Sequence, residues 1–383
     1  MILPIVRREV TGASLSSDLH PVIDRIYRDR NIAKFGNLEN GLKGLTHFNV
    51  LKGMPQAAQI LANAVVQNKR IIIVGDFDAD GATSTSVCIL ALRAMGYQNV
   101  DFLVPNRFDF GYGLSVPIVD EAAKQRAEVI VTVDNGISCI DGVTHAKSLG
   151  MQVVVTDHHL PGDVLPPADA IVNPNQPGCE FPSKNLAGVG VAFYIMLALK
   201  AELQQQGHFE KAGVAPPNLA SLLDIVAVGT VADVVVLDKN NRILVHQGLQ
   251  RIRAGKCRPG IKALVEVANR DCAHLTSTDL GFVVGPRLNA AGRLDDMSQG
   301  IACLLEDETI QARMIAAELD ALNKERREIE TGMKAQAETV LEQMALDEGD
   351  MPSALVVYRE DFHQGVIGIV AGRLKEKYLK PVI

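Results

Sequence analysis

From residue 55 to residue 156 the hydrophobic pattern alternates between two kinds of stretch. Four short, mostly apolar runs occur at 71–74, 100–104, 129–133 and 153–156. A strand covered on both faces is apolar throughout rather than every second residue, so these runs predict buried strands. Between them lie stretches with helical spacing: 55–67, 82–95 stopped by Gly96, about 115–126 with Ser115 as N-cap, and 137–149 ending at Gly150. Strands alternating with helices of this length predict an α/β fold: a parallel sheet flanked by helices.

The pattern changes on either side of this block. Residues 1–45 are polar and mixed, with a short helical pattern near 21–28, and read as an N-terminal arm. Residues 169–182, rich in Pro, Asn and Gly, are expected to be a loop. Helices are expected at 188–203 and 219–231, then a mixed region to about 300. From 306 to 346, Ile315, Leu319, Leu322, Ile329, Met333, Val340 and Met344 form a heptad-like stripe on one long helix. Unbroken it would span roughly 60 Å, with Gly332 as a place to kink; the stripe itself suits packing or a domain spacer. A strand at 354–358 and a helix at 365–377 follow, and the sequence stops at Pro381-Val382-Ile383, where another strand should begin. The expected organisation is an arm (1–45), a core (46–305), a long connecting helix (306–349) and the start of an incomplete second α/β domain (350–383).

The predicted strands deliver acids at their C-terminal ends. The run Ile71-Ile72-Ile73-Val74 leads into Gly75-Asp76-Phe77-Asp78-Ala79-Asp80-Gly81. If strand conformation persists, the three carboxylates leave on one face. Such a cluster repels itself unless cations sit among its members. Two further strand ends carry Asp134-Asn135-Gly136 and Asp157-His158-His159, and Asp233 follows a helical apolar run. Ligands of open parallel sheets bind outside the carboxyl ends of the strands, so these segments are predicted to converge. An EF-hand reading of the first motif fails, because its twelfth position is Val87 rather than Glu and because a strand precedes it. Individual acids could instead cap helices or turns. The shared sheet edge favours hard divalent ions, with His158 as an imidazole ligand and Asp134 as a candidate bridge. Two such ions point to phosphate-ester hydrolysis.

Net charge is −7, so phosphate binding has to be local. Arg287 and Arg293, with Asn289, lie in a Gly/Pro-bounded segment read as a loop after a strand-like run. Their forks suit phosphate, or an ion pair with Asp295 or Asp296. His363 precedes an expected helix that also carries Arg373, where close packing of small residues would also account for the segment; Arg107 follows a strand end, where an exposed arginine without a role is the alternative. The six cysteines are scattered without a C-x-x-C pair, as buried free thiols would be. No run reaches the roughly 18 apolar residues of a membrane span. With no Trp and 4% aromatic residues, no base-stacking platform stands out.

At Gly75–Gly81, Val133–Gly136, Thr156–Leu160 and Val231–Asp233 the chain resembles the DHH phosphoesterase superfamily. Gly285–Arg293 and His363–Arg373 resemble its RecJ family of single-strand-specific 5′→3′ DNA exonucleases. The resemblance implies two Mn²⁺ or Mg²⁺ ions on Asp78, Asp80, Asp134, His158 and Asp233, with Asp76 in or near the same shell. It implies His159 facing the scissile phosphate, beside Asp134 in the catalytic centre. It implies Arg107, Arg287, Asn289, Arg293, His363 and Arg373 on the strand and its 5′ phosphate. It further implies a cytoplasmic, monomeric enzyme of DNA repair and recombination, with single-strand-binding protein and a repair helicase as partners. In the family a Gly-Ser-Arg phosphate loop and an OB-fold follow the point where this sequence stops. An oligoribonuclease or nucleotide phosphatase, and a non-catalytic scaffold, are the alternatives within the superfamily.

Overall fold

The computed structural model describes residues 12–30, 32, 34–106, 111–343 and 352–383, together with residues 6 and 9. Among these residues five parallel strands form one sheet: β1 (Ile71–Val74), β2 (Val100–Leu103), β3 (Val129–Val133), β4 (Gln152–Thr156) and β5 (Ala170–Val172). Their order is β2-β1-β3-β4-β5. Ile71 is level with both Val100 and Val129, and Val129 with Gln152. β1, β3 and all but the first residue of β4 are buried, which is why these strands read as solid apolar runs.

The strand order places helices on both faces. Ile71, Ile73, Val129, Val131 and Val154 pack into the larger core with the helices Met54–Val66, Ala79–Ala94, Gly188–Gln205 and Leu223–Ala232. Ile72, Val74, Ile130, Val153 and Val155 face the helices Val116–Lys124 and Ile140–Ser148 in a second, smaller cluster. The order reverses between β1 and β3, so the switch-point crevice opens between their carboxyl ends.

Several expectations need correction. The Pro- and Asn-rich stretch after residue 169 contains β5, a three-residue edge strand too short for a periodic signal. The mixed region before 300 is helical: Lys239–Arg253, Pro259–Val267, Gly285–Leu294 and Ser298–Leu305. The segment holding Arg287 and Arg293 is therefore a helix, not a loop, and the strand-like run before it, Leu280–Val284, is a single π-helical turn. Consecutive apolar residues cannot by themselves separate a strand from a buried helical segment.

The long helix is Thr309–Gln343, passing Gly332 without a break. Met344 and the expected helix residues after it lie outside the described residues, as does most of the arm before residue 12. Leu319 packs into the main core, whereas Met333, Ala337 and Leu341 join a separate cluster with Leu355, Val366, Val370 and Leu374. There Leu355 pairs in parallel with Val382, and the helix Ile367–Tyr378 lies between them in sequence. No described helix is long and apolar enough to cross a membrane. All six cysteines are unpaired, with Cys88, Cys179 and Cys303 buried.

Candidate metal centre

The first carboxylates come together through a strand-to-helix junction rather than through strand alternation. β1 ends at Val74, and Asp78 is the N-cap of the helix Ala79–Ala94. Its Oδ1 accepts the backbone N–H groups of Asp80 (2.9 Å) and Gly81 (3.0 Å). The helix therefore begins three residues earlier than its apolar periodicity suggests. Asp80 stands inside the first turn, not on a strand face, and is 1% exposed. Its two oxygens accept the N–H groups of Gly188 (2.7 Å) and Val189 (2.9 Å), which open the helix Gly188–Gln205. A helix N-terminus favours a negative charge there.

Asp134 follows β3 with a left-handed backbone, φ +62°, a conformation uncommon outside glycine and typical of functional sites when it occurs. The Asn135 amide donates to the carbonyls of Val74 (3.0 Å) and Val133 (2.9 Å), fastening β1 to β3 at the switch point. After β4, Asp157 joins none of the ligand-capable sets among the described residues and is occupied by its own neighbours instead. Its Oδ1 accepts from the backbone of His158 (2.7 Å) and His159 (3.0 Å) and meets the His159 Nδ1 at 2.7 Å; its Oδ2 accepts from Ile137 (2.9 Å). Asn173 and Asn175, just past β5, donate to the carbonyls of His159 (2.9 Å) and His158 (2.6 Å). These two were not recognisable in sequence, because the strand that positions them was not.

Among the described residues, ligand-capable atoms within 4.8 Å of one another fall into three sets: Asp76, Asp78 and Asp134; Asp80, His158 and Asp233; Asp134, His158 and His159. Asp134 belongs to two of them. His158 Nε2 lies 3.1 Å from Asp134 Oδ1, 3.6 Å from Asp233 Oδ2 and 3.9 Å from Asp80 Oδ2. Those first three atoms, His158 Nε2, Asp134 Oδ1 and Asp233 Oδ2, are buried without a hydrogen-bond partner. Buried polar atoms are normally satisfied, and three of them aimed at one another form the donor set a cation would complete. Carboxylate oxygens with one imidazole and no thiolate fit two hard divalent ions of the Mn²⁺ or Mg²⁺ type.

The electrostatics agree. Burial, then the charges of Asp233 and Asp78, hold the Asp80 carboxyl well above its usual range; burial, then Asp80, does the same to Asp134. Burial and Asp78 raise Asp233 to about 7. Burial lowers His158 to about 4, with the His159 charge adding to the effect, so His158 is the neutral imidazole a ligand needs. The hydrogen bond that the His159 ring donates to Asp157 raises His159 to about 9 despite partial burial. One histidine is thus neutral and the other cationic, two residues of one motif divided by a single carboxylate. The Tyr112 ring stands edge-on to His159 and to Phe77, with centroids 6.3 and 5.9 Å apart.

The residues expected on the strand divide into three groups. Arg107 lies outside the described residues. Arg287 does not offer its fork to solvent. It is buried, with Nη2 2.7 Å and Nε 2.9 Å from Asp320 Oδ1, and Nη1 donates to the Val283 carbonyl at 2.7 Å. The ion pair is with Asp320 on the long helix rather than with Asp295 or Asp296. Asn289 Oδ1 accepts the Ala79 N–H at 2.7 Å, so it braces the metal-binding junction. The same helix comes so close that a Cβ at Gly292 would overlap the Phe77 carbonyl.

Arg293 and Arg373 line a cleft of about 490 Å³ together with Asn289, Phe282, Arg326 and Arg327. Arg293 Nη1 donates to the Gly365 carbonyl (3.0 Å), and His363 Nδ1 accepts the Gly365 N–H (3.1 Å) just ahead of the last helix. Arg373 Nε is 3.2 Å from Glu330. Arg326 is held 2.6 Å from Glu330 and 2.8 Å from Asn323. Burial lowers the Arg326 pKa, and the charges of Arg327 and Arg293 add to the effect. Four guanidiniums around a single carboxylate make a basic channel on an acidic protein, and Asn289 joins it to the metal-binding junction. Arg326 and Arg327 sit on exposed or half-buried positions of an amphipathic helix, where an arginine carries no distinguishing sequence signal.

The model of the DHH family, N-terminal domain, matches residues 70–230. The single-stranded-DNA-specific exonucleases RecJ of Salmonella typhimurium and Escherichia coli are each 58% identical over 378 residues, covering 98% of this chain and 66% of their own length. This chain thus spans 66% of those relatives. A crystal structure of exonuclease RecJ bound to manganese superposes with a TM-score of 0.74 at 35% identity, covering 87% of this chain and 79% of that one. The switch-point cluster, the neutral and cationic histidine pair and these likenesses lead to one statement: the chain belongs to the RecJ family of DHH proteins.

Proposed function

We propose that the chain carries the catalytic body of a 5′→3′ exonuclease that hydrolyses single-stranded DNA from its 5′ end, releasing mononucleotides, with two Mn²⁺ or Mg²⁺ ions. The observation that carries this reading is the facing set of partnerless buried donors on Asp134, His158 and Asp233, with Asp76, Asp78 and Asp80 around it. The single-strand specificity of the exonucleases the chain resembles and the manganese bound in the similar RecJ structure support it. When bound, two such ions polarise phosphoryl oxygens and generate hydroxide near neutral pH.

The chain's own groups supply the remaining parts. Asp134 and His158 each belong to two of the three sets and so link them. His159, half-exposed beside them, has its Nδ1 on Asp157 and its Nε2 left to donate to a phosphate oxygen; as a cation it stabilises the charge that builds there. Arg293 and Arg373, with His363 shaping the turn beside them, hold the strand where the basic cleft meets the metal centre. Arg107 belongs to the same expected set. The chain is read as an arm (1–45), a core (46–305), a connecting helix (306–349) and a second unit (350–383). The separate hydrophobic cluster around Met333 and Leu355 supports the last division. The reading extends to a cytoplasmic monomer of DNA repair and recombination, meeting single-strand-binding protein and a repair helicase.

The test is digestion of 5′-labelled single-stranded and duplex DNA with Mn²⁺ or Mg²⁺, by the chain and by its Asp134→Ala variant. Release of labelled mononucleotide from single strands alone, abolished in a folded variant, is the expected result. Cleavage by Asp134→Ala at the original rate would sink the assignment. A preference for substrates of two to five nucleotides would favour a small-substrate enzyme instead.

A further inference from the structure

We infer that Phe282 is a stacking seat for a nucleobase, placed at the wall of the arginine cleft; the inference rests on the single-strand reading above. A lone exposed apolar side chain is ordinary on a protein surface. Phe282 differs in where it stands and in what holds it there. It is 75% exposed and lines the same cleft as Arg293, Arg326, Arg327 and Arg373. A phenyl ring among guanidiniums has the chemistry of a single-strand groove, in which cations track phosphates and aromatic faces take the bases.

Its backbone is built for presentation. Phe282 lies in the π-helical turn Leu280–Val284, directly ahead of the helix Gly285–Leu294. Such turns interrupt the regular side-chain rotation of a helix and concentrate at functional sites. The two ends of the turn, Leu280 and Val284, are fully buried, so the turn is anchored on both sides of the exposed ring. The Val283 carbonyl accepts from Arg287, whose guanidinium is fixed on Asp320 of the long helix. Arg287 is thus a positioning residue: its buried ion pair clamps the turn that carries Phe282 to the helix that carries Arg326 and Arg327. In a chain with 4% aromatic residues, one ring seated this way matters more than composition suggests.

Stacking on a single aromatic residue tolerates any base, so the seat adds grip without sequence preference. Alanine there is expected to weaken binding by roughly 5- to 100-fold. The strand itself supplies the second half of the test: an abasic residue is placed at successive positions from the 5′ end. Phe282→Ala should raise KM on intact strands with little change in kcat. At one position the abasic residue should produce a similar loss in the wild-type chain and none beyond it in the variant, the non-additivity of groups in contact. A merely structural role would penalise intact and abasic strands alike at every position.

The chain has no tryptophan, so Phe282→Trp introduces a single indole whose emission reports stacking without any turnover. Quenching by oligo(dT) in the presence of metal, and not by an all-abasic backbone of equal length, is the expected result. Equal quenching by both, or a Phe282→Ala loss that adds to the abasic loss at every position, would overturn the assignment. If the wild-type chain shows no exonuclease activity while the indole is quenched by bases alone, the stacking seat stands and the exonuclease reading fails.

Discussion

Gly188 gives the sharpest test of how the metal centre is built. It opens the helix Gly188–Gln205, and its N–H donates to Asp80 at 2.7 Å. A Cβ there would lie 2.5 Å from Asp134 Oδ1 and 2.8 Å from its Cγ. Gly188→Ala leaves the donor to Asp80 in place and pushes only on Asp134. Opening that contact from 2.5 Å to an ordinary 3.4 Å takes about 0.9 Å. The Asp134 backbone cannot absorb the shift easily, since its N–H is tied to the Thr156 carbonyl at 3.1 Å and its φ is already left-handed. Because the Asp134 Cβ would also lie only 2.7 Å away, turning the carboxylate alone cannot relieve the clash; Asp134 or the helix start must be displaced, taking the carboxylate away from the arrangement it shares with His158.

A misplacement of about 1 Å in a reacting constellation costs on the order of 100-fold in rate. Perturbing the support of a metal ligand costs about 10- to 100-fold in affinity. Overpacking costs about 1–3 kcal/mol of stability, offset by up to about 1 kcal/mol from the better helix propensity of alanine. The variant should therefore stay folded while losing metal and activity. Gly190→Ala is the control: it makes the same exchange two residues on, and its Cβ would press on the Leu186 side chain (Cδ1 at 2.5 Å, Cγ at 2.8 Å) instead of on a metal-ligating group. Mn²⁺ titration calorimetry, exonuclease rates and circular dichroism together decide the matter. Wild-type Mn²⁺ affinity and rate in Gly188→Ala, or an equal loss in Gly190→Ala, would refute the packing argument.

Three further outcomes follow. The metal-free protein should melt at a lower temperature as pH rises from about 5.5 to 8, with saturating Mn²⁺ flattening the trend. The folded pKa values of Asp80, Asp134 and Asp233 are raised, the last to about 7, so the folded state binds the extra protons and that stability is lost as pH climbs through those values. His159 acts in the same direction and His158, lowered to about 4, in the opposite one; calorimetric scans at several pH values with and without metal measure the balance. Asp320→Ala should destabilise the fold by about 3 kcal/mol, because it leaves the buried Arg287 charge uncompensated. Replacing both partners by apolar residues, Arg287→Met with Asp320→Leu, should restore part of that loss in urea titrations. Arg373→Ala, which breaks an exposed pair with Glu330, should change stability by less than about 1 kcal/mol. It should weaken single-strand binding and reduce the log–log salt slope by about 0.7.

The legible parts of this molecule are those whose cause lies within a few residues. β1, β3 and β4 are buried on both faces, so each appears as an unbroken apolar run, and the rule of strand ends then brings Asp76, Asp134 and the Asp157–His159 triplet to one crevice. What escaped depends on partners far along the chain. Asp80 points inward because the N–H groups of Gly188 and Val189, more than a hundred residues on, receive it; its own surroundings in sequence suggest a strand face. Arg287 looks like a phosphate ligand until the long helix supplies Asp320, 33 residues later. β5 hides because three residues carry no period, and with it go Asn173 and Asn175, which hold the histidine motif in place. The same division runs through the histidines. His158 and His159 are chemically identical in sequence, and only the turn that aims Asp157 at His159 Nδ1 makes one a neutral ligand and the other a cation. Residue type therefore announces that hard-metal chemistry is present, while the assignment of roles within it rests on long-range backbone contacts. Gly188, an unremarkable small residue at a helix start, belongs to this second class: its importance comes from the missing Cβ that leaves room for Asp134.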